Sequence, residues 1–246
     1  MFSTGHIIWL LSIAITISLS LTLIKIFKPS HRTVGKITMI LLIIFKLLHL
    51  SLSMKESQFG GLVIDQTQLS FHLCSIMIYT VIFTNMIKNE KIVNTLKSFM
   101  VPCLFIGAAM ALLIPTEGVN PLVPRVWQYM LIHGVLVFYG IYLAFVEKVD
   151  LSFKAFLNNL RLLLGVALVA MLMNSVLEQY ETNFLFLRVP PMENLPILNL
   201  NHGWYVYIIS LAAVACLLLL LIHLPFIIVG AINKKKAKDR ASFRLA

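Results

Sequence analysis

The chain has 246 residues, of which 59% are hydrophobic and only 12% are charged, and its mean hydropathy is +0.91. Soluble domains are about 45–50% apolar and about 25% charged. So much apolar surface needs lipid as well as a protein core to cover it. This excludes a soluble enzyme, a nucleic-acid-binding domain and a disordered chain, and it identifies an integral membrane protein.

The net charge of +10 is concentrated at the C-terminus, where six of the 20 Lys and Arg residues lie within the last 13 residues. A basic segment beside an apolar span is typical of a loop that faces an anionic leaflet, rather than of a nucleic-acid site. The three cysteines all lie in apolar runs, so neither a disulfide framework nor a zinc-ribbon spacing is present. The first residues carry no Lys or Arg, which predicts a retained first span rather than a cleaved signal peptide.

Seven apolar stretches have the length of about 20 residues that a helix needs to cross a bilayer. They lie at about 7–26, 36–54, 69–87, 94–114, 126–146, 157–177 and 204–231. We expect an all-α bundle of seven transmembrane helices over residues 1–233, followed by a basic cytoplasmic tail over residues 234–246. With the C-terminus inside, the inner loops hold 16 Lys and Arg residues and the outer loops hold three, so the N-terminus is predicted outside.

Polar side chains within these spans lie mainly in the half near the predicted outer face. The principal ones are Lys46, His49, Ser53, His72, Cys74, Ser75, Arg125, Gln128, Tyr129, His133, Asn174 and Ser175. A central lysine costs about 2.5–3.5 kcal/mol on insertion scales, so such groups usually face a cavity or one another. We predict a polar cavity near the outer face. The alternative is that these residues only join helices by hydrogen bonds.

The depth and spacing of these residues narrow their roles. Lys46 lies too deep for its amine to reach the interface easily, which favours a buried partner or an anionic ligand. In a continuous third helix, His72 would share a face with Ser75, and Cys74 would point about 200° away from His72. A base for Cys74 would then come from another helix, where His133 lies at a similar depth. From the residues alone, Cys74 is either a structural residue or a nucleophile.

A series of short motifs runs in order from the third span to the seventh. The motifs are Leu69-Ser70-Phe71-His72-Leu73-Cys74, Leu113-Ile114-Pro115, Ile132-His133-Gly134, Asn183-Phe184-Leu185-Phe186-Leu187, Pro190-Pro191, Trp204-Tyr205 and Leu224-Pro225-Phe226. The series resembles the transmembrane protein 164 family, including its YwaF-type bacterial branch. The chain departs from that family just before the last span, where a Pro/Trp-rich stretch is replaced by Asn201-His202-Gly203-Trp204-Tyr205.

The resemblance implies a multi-span acyltransferase that moves fatty acyl chains between phospholipids and lysophospholipids. It implies that Cys74 carries the acyl group as a thioester and that His72 and His133 assist, with the choice of base left open. The expected location is a cell membrane, most simply the bacterial cytoplasmic membrane. No glycine-rich phosphate loop is present, so we expect no soluble cofactor, and we expect no metal.

Six polar residues are the candidate substrate ligands of this reaction. They are Lys46, His49, Arg125, Tyr129, Asn174 and Asn183. Within this set, Lys46 and Arg125 are expected to hold a lipid phosphate. Asn174, Asn183 or Tyr129 is expected to donate to the oxyanion that forms during acyl transfer.

Two other functions remain as alternatives. A transporter or lipid-binding protein would use Lys46 and the histidines as ligands, but the inner half has no matching polar set and no inverted repeat is apparent. A metal-dependent hydrolase would need zinc ligands from several helices. Those ligands would be His49, His72, Cys74 and His133. No H-E-x-x-H pair occurs in the sequence to support that second alternative.

Overall fold

The computed structural model describes residues 3–56, 62–64, 69, 71–191 and 195–243. These residues form seven principal helices and one small hairpin. The helices are α1 Thr4–Phe27, α2 His31–Leu52, α3 Leu73–Met86, α4 Glu90–Leu113, α5 Pro124–Glu147, α6 Phe153–Val176 and α7 Trp204–Phe243. The strands are β1 Met54–Glu56 and β2 Leu62–Ile64, and the two short 3₁₀ helices are Glu178–Tyr180 and Phe184–Phe186.

The helices confirm the prediction of an all-helical, multi-pass membrane bundle. Six of those described are long and apolar enough to cross a membrane, and α3, with 14 residues, is shorter. The orientation of the bundle, with its N-terminus outside, stays a prediction. The predicted tail begins as a continuation of α7, which runs as a helix as far as Phe243.

Side-chain caps mark where four of the helices begin. Ser3, Ser30, Asn89 and Ser152 each accept a hydrogen bond from a backbone N–H in the first turn that follows. Such caps satisfy donors that have no partner inside the helix. At the start of α3, His72 occupies the N-cap position but makes no side-chain cap bond. This start is four residues later than the predicted span, so the continuous helical face expected for His72 and Ser75 is wrong.

The connection between α2 and α3 also differs from the predicted loop. In it, β1 pairs with β2 in antiparallel register, with Lys55 opposite Val63. We call this side of the bundle the hairpin end; it also contains residues 114–123, 177–191 and 195–203. The other side, which contains residues 28–30, 87–89 and 148–152, is the basic end. Successive helices therefore run alternately between the two ends.

The packed core lies between α2, α3, α4 and α5. Leu42, Met77, Met100 and Leu136 are fully buried there. By contrast, α1 exposes a row of large aliphatic side chains that includes Ile15. Apolar surface of this kind on a membrane helix faces lipid, so α1 lies at the edge of the bundle.

Helix α4 is irregular near the hairpin end. It contains Pro102 and then a π-helical turn at Phe105–Ala109. Pro115 follows the helix and has no N–H, so the carbonyl of Ala111 lacks its usual helical donor. The hydroxyl of Tyr129 donates to that carbonyl at 3.0 Å and thereby attaches α5 to the end of α4.

Candidate functional site

The first turn of α3 lies within the bundle and carries Cys74 and Ser75. With 14 residues, α3 is about 21 Å long, which is shorter than a hydrocarbon core of about 30 Å. Non-helical backbone at membrane depth is tolerated where protein or a polar cavity surrounds it. The backbone N–H groups of the first turn form the positive end of the helix dipole, and His72 does not cap them with its side chain.

Cys74 packs against the π-helical turn of α4. A Cβ atom added to Gly107 would lie 3.2 Å from the Cys74 sulfur and 3.4 Å from Cδ2 of Leu73. The absent side chain of Gly107 therefore leaves room for the thiol. Short π-helical turns occur frequently at functional sites. Within the described residues, no hydrogen bond joins the thiol of Cys74 to His72 or to His133.

His133 is buried on α5 and has a defined ring orientation. Its Nδ1 lies 2.7 Å from the carbonyl oxygen of Tyr129, so Nδ1 carries the proton and donates it to that oxygen. This leaves Nε2 with the lone pair that a base requires. The ring centroids of Tyr129 and His133 lie 4.3 Å apart. His49 lies on α2, where its backbone carbonyl accepts from the Ser53 hydroxyl at 2.7 Å.

His72 lies against aromatic rings rather than beside the thiol. Its ring centroid is 5.4 Å from that of Phe184 and 6.0 Å from that of Phe186. His133, by contrast, lies against Tyr129, so the two histidines are packed against different aromatic residues.

Lys46 is a charged residue that lies buried beside the start of α3. Its side chain is only 7% exposed, and its Nζ lies 3.5 Å from Oγ of Ser75. None of the ion pairs formed among the described residues includes Lys46. Lys46 therefore has Ser75 as a polar partner, and the expectation of an anionic ligand stays open.

Arg125 already has a protein partner. Its Nε donates to Glu117 at 2.7 Å, and one terminal nitrogen lies 3.4 Å from both the Leu52 carbonyl and the Ser53 hydroxyl. These contacts connect the start of α5 to the end of α2. A lipid phosphate at Arg125 would share the guanidinium with Glu117.

Asn174 and Asn183 use their amides to hold the segment between α6 and α7. Asn174 donates to the carbonyl of Phe184 at 3.0 Å and accepts from its N–H at 2.8 Å. Asn183 accepts from the N–H groups of Arg188 and Val189 and donates to the Val189 carbonyl. Both amides are occupied by backbone, so their predicted role as oxyanion donors has no support in this geometry.

Two aromatic residues of α7 complete the attachment of this segment. Trp204 donates to the carbonyl of Leu187 at 2.9 Å, and the Tyr207 hydroxyl donates to the carbonyl of Phe186. Leu185 and Phe186 have φ values of 55° and 58°, a left-handed conformation that is costly for side chains of this size. Because Phe184 and Phe186 contact His72, the segment fixes the surroundings of that ring.

The sequence analysis missed a second buried polar cluster, which lies toward the basic end. In it, Nδ2 of Asn159 contacts the Ser98 carbonyl at 3.1 Å and Nε2 of His223 at 3.1 Å. Nδ1 of His223 donates to the Leu151 carbonyl, and the Ser98 hydroxyl donates to the Asp150 carbonyl. The expectation of an inner half without a polar set is therefore wrong. The sequence did contain a signal for this cluster, because three of the predicted spans each carry a polar residue toward that end, namely Ser98, Asn159 and His223.

Two cavities are found at the basic end, with volumes of about 510 and 600 Å³. Arg32, Lys88 and Asn85 contribute to the first, and apolar residues such as Leu21 and Phe145 line most of the second. Neither cavity borders Cys74, so the predicted polar cavity near the outer face stays a prediction. Among the residues that the structure describes, no three His, Cys, Asp or Glu side chains converge as metal ligands.

The fold and the site together define a class of multi-pass helical membrane protein with a cysteine at the start of a short internal helix. Lys46 of α2 contacts Ser75, the residue after this cysteine, and His72 immediately precedes the helix. The TMEM164 family model matches residues 1–223, and the chain belongs to this family. No curated protein and no solved structure gives a significant match to the chain.

Proposed function

We propose that the protein is a membrane acyltransferase that moves a fatty acyl chain between a phospholipid and a lysophospholipid through a thioester on Cys74. The position of Cys74 in the uncapped first turn of α3 carries the proposal. A helix N-terminus stabilises a thiolate, and the thiolate is the nucleophilic form of cysteine. Because Gly107 has no side chain, the Cys74 sulfur can lie close to the backbone of α4.

His133 is the base that this geometry favours. Its Nδ1–H is held by the Tyr129 carbonyl, so Nε2 is the nitrogen that accepts a proton. A free thiol has a pKa of about 8.5 and is mostly protonated at neutral pH, so a base is needed. Hydrogen bonds of catalytic groups are often long before substrate binds, so the missing bond between Cys74 and His133 is compatible with this role.

The reaction has two balanced steps. In the first, His133 takes the thiol proton, and the sulfur of Cys74 attacks the ester carbonyl of the donor lipid. The ester C–O bond breaks, and the departing lysophospholipid oxygen takes the proton from His133. In the second, the hydroxyl of an acceptor lysophospholipid gives its proton to the same histidine and attacks the thioester carbonyl. The C–S bond breaks, and the Cys74 sulfur takes the proton back from the histidine.

The location of the site within a membrane bundle supports lipid substrates. A cysteine within a membrane bundle meets acyl chains laterally, and ester groups lie near headgroup depth, toward which the hairpin end faces. Arg125 is the residue we propose for the lipid phosphate, because it lies at that end and is only half-buried. The membrane we propose is the bacterial cytoplasmic membrane, in keeping with the resemblance to the YwaF-type branch.

Transport or lipid binding is the second candidate function. The buried polar cluster at the basic end favours it, because polar groups then occur toward both ends of the bundle. The hydrogen bonds of that cluster go largely to backbone carbonyls, however, which is typical of a structural contact between helices. A transporter or binding protein forms no covalent acyl intermediate, so chemistry at Cys74 separates the two functions.

The test is acyl transfer by the purified full-length protein in lipid nanodiscs. The donor is a phospholipid with a labelled acyl chain, and the acceptor is a lysophospholipid. We expect Cys74→Ser to abolish transfer and Cys216→Ser, a second free cysteine on α7, to retain it. Undiminished transfer by Cys74→Ser would overturn the proposed function.

A further inference from the structure

Lys46 and the first turn of α3 face each other inside the bundle. Lys46 lies six residues before the end of α2 at Leu52, about 9 Å along the helix axis. Its amine contacts Ser75, the residue after Cys74, at 3.5 Å. A buried ammonium without a carboxylate among the described residues is costly, and a functional ligand is the usual reason for such a group.

The start of α3 provides a second positive element at the same place. Its side-chain cap is absent, and the backbone N–H groups of its first turn point in the direction of the helix N-terminus. In membrane proteins, the N-termini of short internal helices bind anionic groups in this way. A buried cation and a helix N-terminus thus converge on the turn that carries Cys74.

The other side chains that we expected to stabilise the oxyanion already form hydrogen bonds to the protein backbone. The amides of Asn174 and Asn183 hold backbone groups, and the Tyr129 hydroxyl donates to the Ala111 carbonyl. A phosphate held by Lys46 would have to enter the bundle to a depth of about two helical turns from the end of α2. An acyl carbonyl attacked by Cys74 must come to this depth in any case, because Lys46 contacts Ser75, the residue after Cys74.

We propose that Lys46, with Ser75 and the first amides of α3, forms the oxyanion site of the acyl transfer, an inference that rests on the proposed function. When the sulfur of Cys74 bonds to the carbonyl carbon, the C=O electron pair moves onto the oxygen. The Lys46 ammonium and the α3 amides stabilise that negative oxygen. The C=O bond then re-forms, the ester C–O bond breaks, and the leaving oxygen takes the proton held by the histidine.

The predicted signature is a loss of kcat without a loss of substrate affinity. Removing one oxyanion donor lowers kcat by about 10²–10³-fold in well-studied enzymes. We expect Lys46→Met, which keeps the length of the side chain, to lower kcat by about 10²-fold with little change in KM. Lys36→Met, on the exposed face of the same helix, is the matched control and keeps normal kinetics. A phosphate-binding lysine would instead raise KM and leave kcat unchanged.

Three outcomes give a clear answer. Unchanged kcat in Lys46→Met, or a rise in KM alone, would overturn the oxyanion site while Cys74 acylation and transfer in the unaltered protein still support the proposed function. The proposed function itself would be overturned only by acyl transfer that persists in Cys74→Ser. If Lys46→Met does not fold, Ser75→Ala removes only a hydroxyl and is expected to lower kcat several-fold; an unchanged kcat in that variant would also overturn the inference.

Discussion

Two buried polar groups in this membrane bundle differ in how completely their hydrogen bonds are satisfied. At the basic end, Asn159 and His223 contact each other and nearby backbone carbonyls, and only Oδ1 of Asn159 lacks a partner. At the start of α3, the charge of Lys46 has no carboxylate among the described residues, and Cys74 has no bond to a histidine. Satisfied polar groups hold helices together, whereas unused charge and lone pairs remain for a substrate.

Substitution of His133 is expected to have the largest effect on the rate of acyl transfer, and it tests whether the region around the start of α3 differs from the basic end. His133→Ala removes the proposed base, and general base catalysis contributes about 10²–10⁴-fold to a rate. We expect acyl transfer per folded protein to fall by that factor. The assay is initial-rate transfer in nanodiscs, with the exposed His202→Ala as the control. Equal rates for the two variants would remove His133 from the mechanism and direct attention to His72.

The space beside Cys74 gives the next effect. In Gly107→Ala the new Cβ would lie 3.2 Å from the thiol sulfur, so the sulfur or the helix must shift by a few tenths of an ångström. A misplacement of about 1 Å at a reacting group costs up to about 10²-fold in rate, and this smaller shift is expected to lower transfer by up to about tenfold. Gly165→Ala, which meets nothing within 4 Å, is the control and keeps the full rate. Full activity in Gly107→Ala would show that the thiol does not need this space.

The basic-end cluster is expected to affect stability and not catalysis. His223→Ala removes the side-chain donor of the Leu151 carbonyl and leaves the Asn159 amide with only its contacts to Ser98. An unsatisfied buried polar group costs about 1–3 kcal/mol. Thermal unfolding in detergent is expected to show this loss, while the kcat of the folded fraction stays normal. The half-buried neighbour Asn158→Ala is the control. A specific loss of kcat would instead support a transport or catalytic role for the cluster.

Arg125 gives the smallest expected effect, and it differs in kind from that of Lys46. Arg125→Gln removes a partly exposed ion pair with Glu117, and such pairs contribute about 0–1 kcal/mol to stability. If Arg125 holds the lipid phosphate, KM for the lysophospholipid rises by about tenfold and kcat is unchanged. A steady-state titration of the acceptor measures both constants. An unchanged KM would leave Arg125 with only its structural contacts.

Hydropathy was sufficient to predict the helical bundle, because an apolar stretch of about 20 residues has few other stable forms in lipid. It did not predict where α3 begins. The residues before Leu73 include Leu69 and Phe71, which are as apolar as a continuing span, and the missing cap at His72 is visible only in the folded backbone. The loop between α2 and α3 was likewise predicted without its small hairpin.

The candidate site was predictable in its residue types and only partly in its contacts. The sequence placed Lys46, Cys74 and His133 at a similar depth, but the approach of Gly107 to the thiol depends on a π-helical turn in another helix. Likewise, the roles of Asn174 and Asn183 depend on the path of the backbone from 183 to 189. Contacts between distant segments need a fold, and residue spacing within one helix does not determine them.

The most direct measurement is the intact mass of the protein after incubation with a donor phospholipid alone. The lysophospholipid released in the first step is itself an acceptor, so it is extracted from the bilayer as it forms, and the thioester then accumulates. We expect a mass increase of one acyl group that maps to Cys74, disappears on treatment with hydroxylamine and is absent in Cys74→Ser. An unmodified Cys74 in a preparation that transfers acyl chains once acceptor is added would contradict the covalent mechanism.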